Sequence, residues 1–261
     1  MPVRWRLIDT GQRDPFTNMA LDEALLRGYL LHDSPPTLRT YGWEPAALSL
    51  GYSQDADREF NLPFVRRMTG GGMIRHSDEL TYSLVFSKED LGIPESVVSS
   101  YKIISSFLIE FYRRLGLKAA FACDVAPAEK LGTPSVFCFA AKEKYDILIG
   151  GRKIGGSAQK RCRGAIFQHG SIPIAPQPHG ASLSDLLGRT VPREELSKIL
   201  AGSFKETFNI TPAEGRLSTR EEDILEDLRA RKYGSREWNI GRIDATAMKE
   251  EHGSRTALVA G

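Results

Sequence analysis

In Tyr145-Asp146-Ile147-Leu148-Ile149-Gly150-Gly151-Arg152-Lys153-Ile154-Gly155-Gly156-Ser157, a β-favouring apolar run meets a Gly-Gly turn and returns. Paired glycines supply the positive φ that a tight hairpin needs. A second turn, Arg163-Gly164, leads into Ala165-Ile166-Phe167-Gln168-His169. Lys144 to Ile174 therefore reads as an antiparallel meander. Lys153 is flanked by glycines on an inner strand. A lysine so placed either stands in solvent on the hairpin or points into a cleft, where burial demands a negative partner.

Working outward, Thr37–Tyr41, Ala46–Tyr52, Phe64–Arg67 and Leu80–Phe86 read as further strands. Helical periodicity spans Asn18–Leu31, with Thr17 or Asn18 as cap and Asp22 and Glu23 in the first turn. In Ser96–Leu115, the residues Val97, Tyr101, Ile104, Leu108, Phe111 and Leu115 form one apolar stripe. Beyond Pro176 the composition shifts to two helices, Arg193–Phe208 and Thr219–Lys232, the second opening with the capping box Thr219-x-x-Glu222. The expectation is an α+β (α/β) fold: a mixed or antiparallel sheet flanked by helices, with a small helical C-terminal part at about 190–240.

The chain has 261 residues, 41% apolar and 26% charged, as ordinary globular domains do. Its net charge, 35 − 33 = +2, makes no case for nucleic acid. No apolar run has the ~18 residues a membrane span needs. The first residues lack the apolar core of a secretory leader. The expected location is the cytoplasm. Three cysteines, Cys123, Cys138 and Cys162, without a C-x-x-C spacing, point to neither a disulfide framework nor a zinc site.

Arg66-Arg67-Met68-Thr69-Gly70-Gly71-Gly72 follows a short strand. Such a run is either a flexible loop or a backbone surface that a ligand approaches closely, whose N–H groups bind an anion or an oxyanion. It matches neither the dinucleotide nor the P-loop pattern.

With these segments the chain resembles the lipoate–protein ligase A and octanoyltransferase catalytic domain, related to biotin protein ligases. The resemblance rests on Arg66-Arg67-x-Thr69-Gly70-Gly71-Gly72 with His76 and Glu79-Leu80-Thr81-Tyr82-Ser83, and on Gly151-Arg152-Lys153-Ile154-x-Gly156-Ser157-Ala158-Gln159. Arg39-x-Tyr41-x-Trp43 and Asn18-Met19-Ala20-x-Asp22-Glu23-Ala24 also match, and the likeness runs from about Trp5 to Trp238. Ser135-Val136-Phe137-Cys138-Phe139 resembles the cysteine loop of the ligase-like octanoyltransferases. Ser77, where the family often has Asp, and Ala140-Ala141-Lys142-Glu143 depart from the pattern.

The resemblance implies one catalytic domain over residues 1–248, with a flexible tail at 249–261. It implies octanoyl transfer from acyl carrier protein to a lysine of the glycine cleavage H protein or of a lipoyl domain, through an acyl-Cys138 thioester partnered by Lys153. Arg67, Thr69, Gly70, Gly71, Gly72, His76, Tyr82, Gly156, Ser157 and Ala158 would bind substrate. His76 is read either as such a contact or as a structural histidine holding the loop.

A free thiol is only ~3% thiolate at pH 7, and a nearby ammonium raises that fraction. Lys153, fifteen positions from Cys138, would supply it if the loop folds over the strand. Thioester exchange is nearly isoenergetic and amide formation runs downhill. No cofactor is therefore expected, and ATP and Mg would enter only in a ligase. Burying about seven tail carbons supplies on the order of 5–6 kcal/mol. Between Lys142 and Arg163 seven basic residues face two acidic ones, 7 − 2 = +5, which is either a solvated face or a patch that steers acidic carriers. Cys123 and Cys162 read as structural, and a monomer is expected. The alternatives are an ATP-dependent lipoate–protein ligase, an amidotransferase between carrier proteins, and a non-catalytic module docking lipoyl domains.

Overall fold

The computed structural model describes residues 4–56, 59–93, 97–126, 143–178 and 180–246. Cys138 and the expected tail at 249–261 lie outside the described residues.

The floor of the molecule is a six-stranded mixed sheet. It is built from β1 (Arg6–Arg13), β2 (Thr37–Trp43), β6 (Glu79–Ser87), β10 (Gly156–Cys162), β11 (Ala165–Pro173) and β12 (Ala213–Glu214). The spatial order is β10-β11-β6-β2-β1-β12. β1 runs parallel to both β2 and β12, and the other pairs are antiparallel. The central strands β2, β6 and β11 are buried along almost their whole length, because both faces are covered. Over one face lies a small sheet of β3 (Ala47–Leu50), β4 (Phe64–Arg66) and β5 (Ile74–His76). A third sheet joins β7 (Ala119–Phe121), β8 (Ile147–Ile149) and β9 (Arg152–Lys153).

The expected α+β architecture is therefore present, and the details sharpen it. The meander splits in two. The hairpin at Gly150-Gly151 pairs β8 with β9, but the chain breaks at Ile154-Gly155 and β10 joins the large sheet. Gly155 has φ +78°, and a Cβ there would lie 2.3 Å from the Ser171 carbonyl oxygen. Only glycine lets this crossing come so close.

Helix α1 (Pro15–Leu31) starts earlier than its periodicity suggests. Asp14 caps it by accepting from the Phe16 and Thr17 N–H groups, with proline at N1. Asp22 and Glu23 thus sit in mid-helix, buried, rather than in the first turn. The expected helix at 96–115 is two, α3 (Val97–Ile104) and α4 (Ser106–Arg114), separated at Ser105. Arg193–Phe208 is helical over its full predicted length, as α7, after the short α2 (Lys88–Leu91), α5 (Ala122–Val125) and α6 (Leu183–Leu187). Helix α8 (Thr219–Leu228) is capped one residue early, by a reciprocal Ser218–Glu221 box. It passes into a π turn, Arg229–Tyr233, before α9 (Arg236–Asn239).

The C-terminal helices are not an appendage. α7 packs on α4, and α8 on α1. A Cβ on Gly28 would lie 2.8 Å from the Glu221 side chain, so α1 and α8 meet through that glycine. A core cluster under the sheet contains Phe86, Phe107, Phe111, Phe204 and Trp5, while Met19, Tyr41, Trp43, Tyr233 and Trp238 cluster between α1 and the small sheet.

Candidate active site

The register of the large sheet places Gly156 opposite Ser171, Ser171 opposite Thr81, and Thr81 opposite Tyr41. Paired residues share a face, as do residues two apart on one strand. Ser171, Thr81, Tyr41 and His169 therefore front the same space. This face, roofed by α1 and the small sheet, forms a cleft. Met19, Tyr41, Trp43 and Ile74 give it an apolar interior, and Arg67, Gly70, Gly71, His76, Gly156, Ser157 and Ala158 complete the wall.

Arg67 holds the glycine loop. Its guanidinium donates to the carbonyls of Gly70 (2.8 Å), Gly72 (3.0 Å) and Ser49 (2.9 Å), and to the Ser49 hydroxyl. Gly71 has φ +96°. Gly51 lies beneath it, where a Cβ would come 1.9 Å from the Gly71 carbonyl oxygen.

Two carboxylate–imidazole–hydroxyl chains tie roof to floor. In one, His169 meets Asp22 Oδ2 through Nδ1 at 3.2 Å and the Thr69 hydroxyl through Nε2 at 2.8 Å. Burial pushes the His169 pKa below the ordinary value, helped by Arg67 and His76 and opposed by Asp22. The neutral ring donates from Nδ1 to the carboxylate and accepts from Thr69. In the other, His76 lies 2.9 Å from Glu79 Oε1 through Nδ1 and 2.7 Å from the Ser49 hydroxyl through Nε2. Its ring stacks on Trp43 with centroids 3.8 Å apart. His76 thus belongs to the framework while its ring also lines the cleft.

Asp22 itself is clamped. Burial alone would raise its pKa, but Arg39 at 2.6 Å, His169 and the Ser83 hydroxyl hold it below the carboxylate range.

Lys153 is 3% exposed, and its ammonium lies 2.7 Å from Asp146 Oδ2. This is the negative partner that a buried lysine requires. Burial raises the Asp146 pKa above the ordinary value despite the attraction of Lys153 and the Glu143 backbone N–H. Asp146 lines a second, small recess with Leu108, Tyr112, Tyr145 and Ile154. The two spaces meet at Gly156, Ser157 and Ser171, which line both. Tyr82 stands in the second recess, its hydroxyl 2.8 Å from the Ser157 hydroxyl and accepting from Gln168, and burial pushes its pKa up to about 12.

The sequence-predicted residues are thus brought together in part. Arg67, Gly70, Gly71, His76, Gly156, Ser157 and Ala158 line one cleft. Thr69, though buried, acts through His169, and Gly72 offers its carbonyl to Arg67. Ser49, His169 and Ser171 were missed as site residues. For His169 and Ser171 the signal is a polar run, Gln168-His169-Gly170-Ser171, inside a strand buried throughout, whereas Ser49 on β3 has none. Of the seven basic residues around the lysine, Lys153 is internal, while Arg152 is exposed and donates to the Gly180 carbonyl at 2.7 Å. Cys123 and Cys162 are both half-buried, Cys123 against the main core cluster.

Residues 14–205 match the lipoyl protein ligase A/B catalytic domain. The chain belongs to that family. Octanoyltransferase LipM of Geobacillus kaustophilus strain HTA426 is 38% identical, with 91% of this chain and 98% of the relative covered. LipM of Bacillus subtilis strain 168 is 37% identical over the same shares. Among solved structures, a lipoate-protein ligase A bound with ATP superposes with TM-score 0.75 and 25% identity, covering 93% of this chain and all of that one. The expectation of an acyltransferase of the octanoyltransferase kind is borne out by these relatives of the lipoyl protein ligase A/B family. No helix among the described residues is long and apolar enough to cross a membrane.

Proposed function

We propose that the protein moves an octanoyl group from acyl carrier protein to a lysine of the glycine cleavage H protein or of a lipoyl domain. Cys138 carries the group as a thioester and Lys153 is its cationic partner. The observation that carries this reading is Lys153. Its buried ammonium lines neither space itself but is held by Asp146, which lines the recess that joins an apolar cleft suited to an alkyl chain.

The Cys138 thiolate attacks the carrier thioester and expels the carrier thiolate. The acceptor amine then attacks acyl-Cys138, forms the amide, and leaves its proton with the thiol. Lys153 favours the thiolate and orients the carbonyl. A tail seated among Met19, Tyr41, Trp43 and Ile74 is held by hydrophobic burial at about 0.8 kcal/mol per methylene. The exposed Lys144, Lys160, Arg161 and Arg163 favour encounter with acidic partners.

The likeness to a ligase solved with ATP keeps adenylation as the second reading. Acceptor labelling separates the two. Octanoyl-carrier thioester without nucleotide should octanoylate a lipoyl domain, and Cys138→Ser should abolish it. Labelling that requires free octanoate and ATP, and survives Cys138→Ser, would assign the ligase instead.

A further inference from the structure

We propose that Ser171 is a further catalytic residue, its hydroxyl donating to the oxyanion formed when the acyl carbonyl is attacked. The inference rests on the acyl-transfer reading above. It comes from one atom. Ser171 is 3% exposed, and its Oγ has no hydrogen-bond partner among the described residues. A buried hydroxyl left unpaired costs stability, and such a group persists where something else will pair with it.

Its place says what that is. Ser171 lines both the apolar cleft and the second recess, at their junction. The hydroxyls around it already have partners. Thr81 donates to Glu79 and accepts from Trp43, and Ser157 is bonded to Tyr82. The chain that carries Lys153 passes directly against Ser171, since the Cβ position of Gly155 lies 2.3 Å from the Ser171 carbonyl oxygen. Lys153 and Gly155 are two residues apart, so their Cα atoms are within about 7 Å. An acyl group with its tail in the cleft and its carbonyl turned toward Lys153 brings that oxygen to the junction, where Ser171 Oγ, without a partner among the described residues, can donate.

The chemistry balances without a co-reactant. As the Cys138 thiolate adds to the carbonyl carbon, a C–S bond forms and the π pair moves to oxygen. The Ser171 O–H donates to that oxygen and keeps its proton. Collapse restores the carbonyl and breaks the bond to the carrier sulfur. In the second half, the lysine amine adds, the same hydroxyl meets the same oxyanion, and the bond to Cys138 sulfur breaks.

The test is a time course of octanoyl loading onto the full chain by intact mass, with carrier thioester varied, for wild type, Ser171→Ala and Ser171→Thr. Removing one such donor slows chemistry by about 10²–10³-fold. Ser171→Ala should lose that much in maximal loading rate with half-saturation within about twofold, and its Tm should stay level or rise. Ser171→Thr, which keeps the hydroxyl on a β-branched residue suited to a strand, should recover to within about tenfold of wild type. Loading by Ser171→Ala within threefold of wild type overturns the assignment. So does a loss of activity matched by a falling Tm. If wild type itself takes up no octanoyl, the acyl-transfer reading falls first, and Ser171 with it.

Discussion

Two groups of buried charges behave oppositely. Along α1, Asp22 faces Arg39, and Glu23 takes Arg27 at 2.5 Å, Lys232 at 2.8 Å and the Tyr233 hydroxyl at 2.6 Å. Burial would raise both carboxyls, yet their partners win and both pKa values lie below the ordinary range. At the Lys153 end burial wins, and Asp146 is raised despite an ammonium at 2.7 Å. The α1 group is electrostatically complete and holds the helix to the sheet and the C-terminal segment. At the Lys153 pair burial outweighs the compensation of Asp146, and Asp146 shares a recess with Ser171, whose hydroxyl has no partner among the described residues. Stability is concentrated in the first group, and the capacity for chemistry is left in the second.

The largest effect should come from breaking the second group. Lys153→Ala should lower octanoyl transfer by about 10²–10⁴-fold, the range for removing a group that manages charge in the transition state. Its cost in stability should be smaller than that of removing Arg39 from Asp22, because burial already raises the Asp146 carboxyl and eases its neutralisation. Transfer assays beside urea unfolding check both halves.

The converse is Arg39→Met, which strands Asp22 with its charge. Breaking a buried pair from one side costs about 3–5 kcal/mol. Urea unfolding at pH 7 should show this, and a loss under 1 kcal/mol would erase the contrast between the two groups.

Acid titration sharpens it further. Asp22 and Glu23 have depressed native pKa values, so their stabilisation is present above the unfolded values of about 4 and is lost as pH falls through the native ones. His169 is also depressed, and it acts earlier. Below about pH 6.5 the unfolded ring binds a proton that the native ring refuses, and stability falls by up to about 1.4 kcal/mol per pH unit of displacement. Burial sets that ring's low value, Arg67 and His76 add to it and Asp22 opposes it, while Arg39 and Tyr41 bond to Asp22. His169→Asn should flatten the fall in Tm between pH 7 and 5.5. The smallest effect belongs to the exposed Lys102–Asp124 pair at 2.8 Å, where Lys102→Ala should change stability by less than about 1 kcal/mol.

Where local rules sufficed, the sequence was readable. Helix α7 keeps its predicted bounds, and the glycine loop and Lys153 stand out in the sequence. What failed was non-local. β1 pairs in parallel with β2 across the whole of α1, and nothing in its mixed polar pattern announces that. The split of the meander depends on Gly155 passing beneath the Ser171 carbonyl, a contact sixteen residues away in the chain. Both helix caps slipped because an earlier residue, Asp14 or Ser218, made the better bond. Asp22 looked like a first-turn acid, and tertiary pairing with Arg39 made it a core anion.

The central claim is that Cys138 carries the acyl group. Intact mass after mixing the protein with octanoyl-carrier thioester, without nucleotide, tests it most directly. The account predicts one octanoyl adduct that is absent in Cys138→Ser and is discharged by a lipoyl domain. An unmodified wild-type chain, or an adduct that persists in Cys138→Ser, would contradict it.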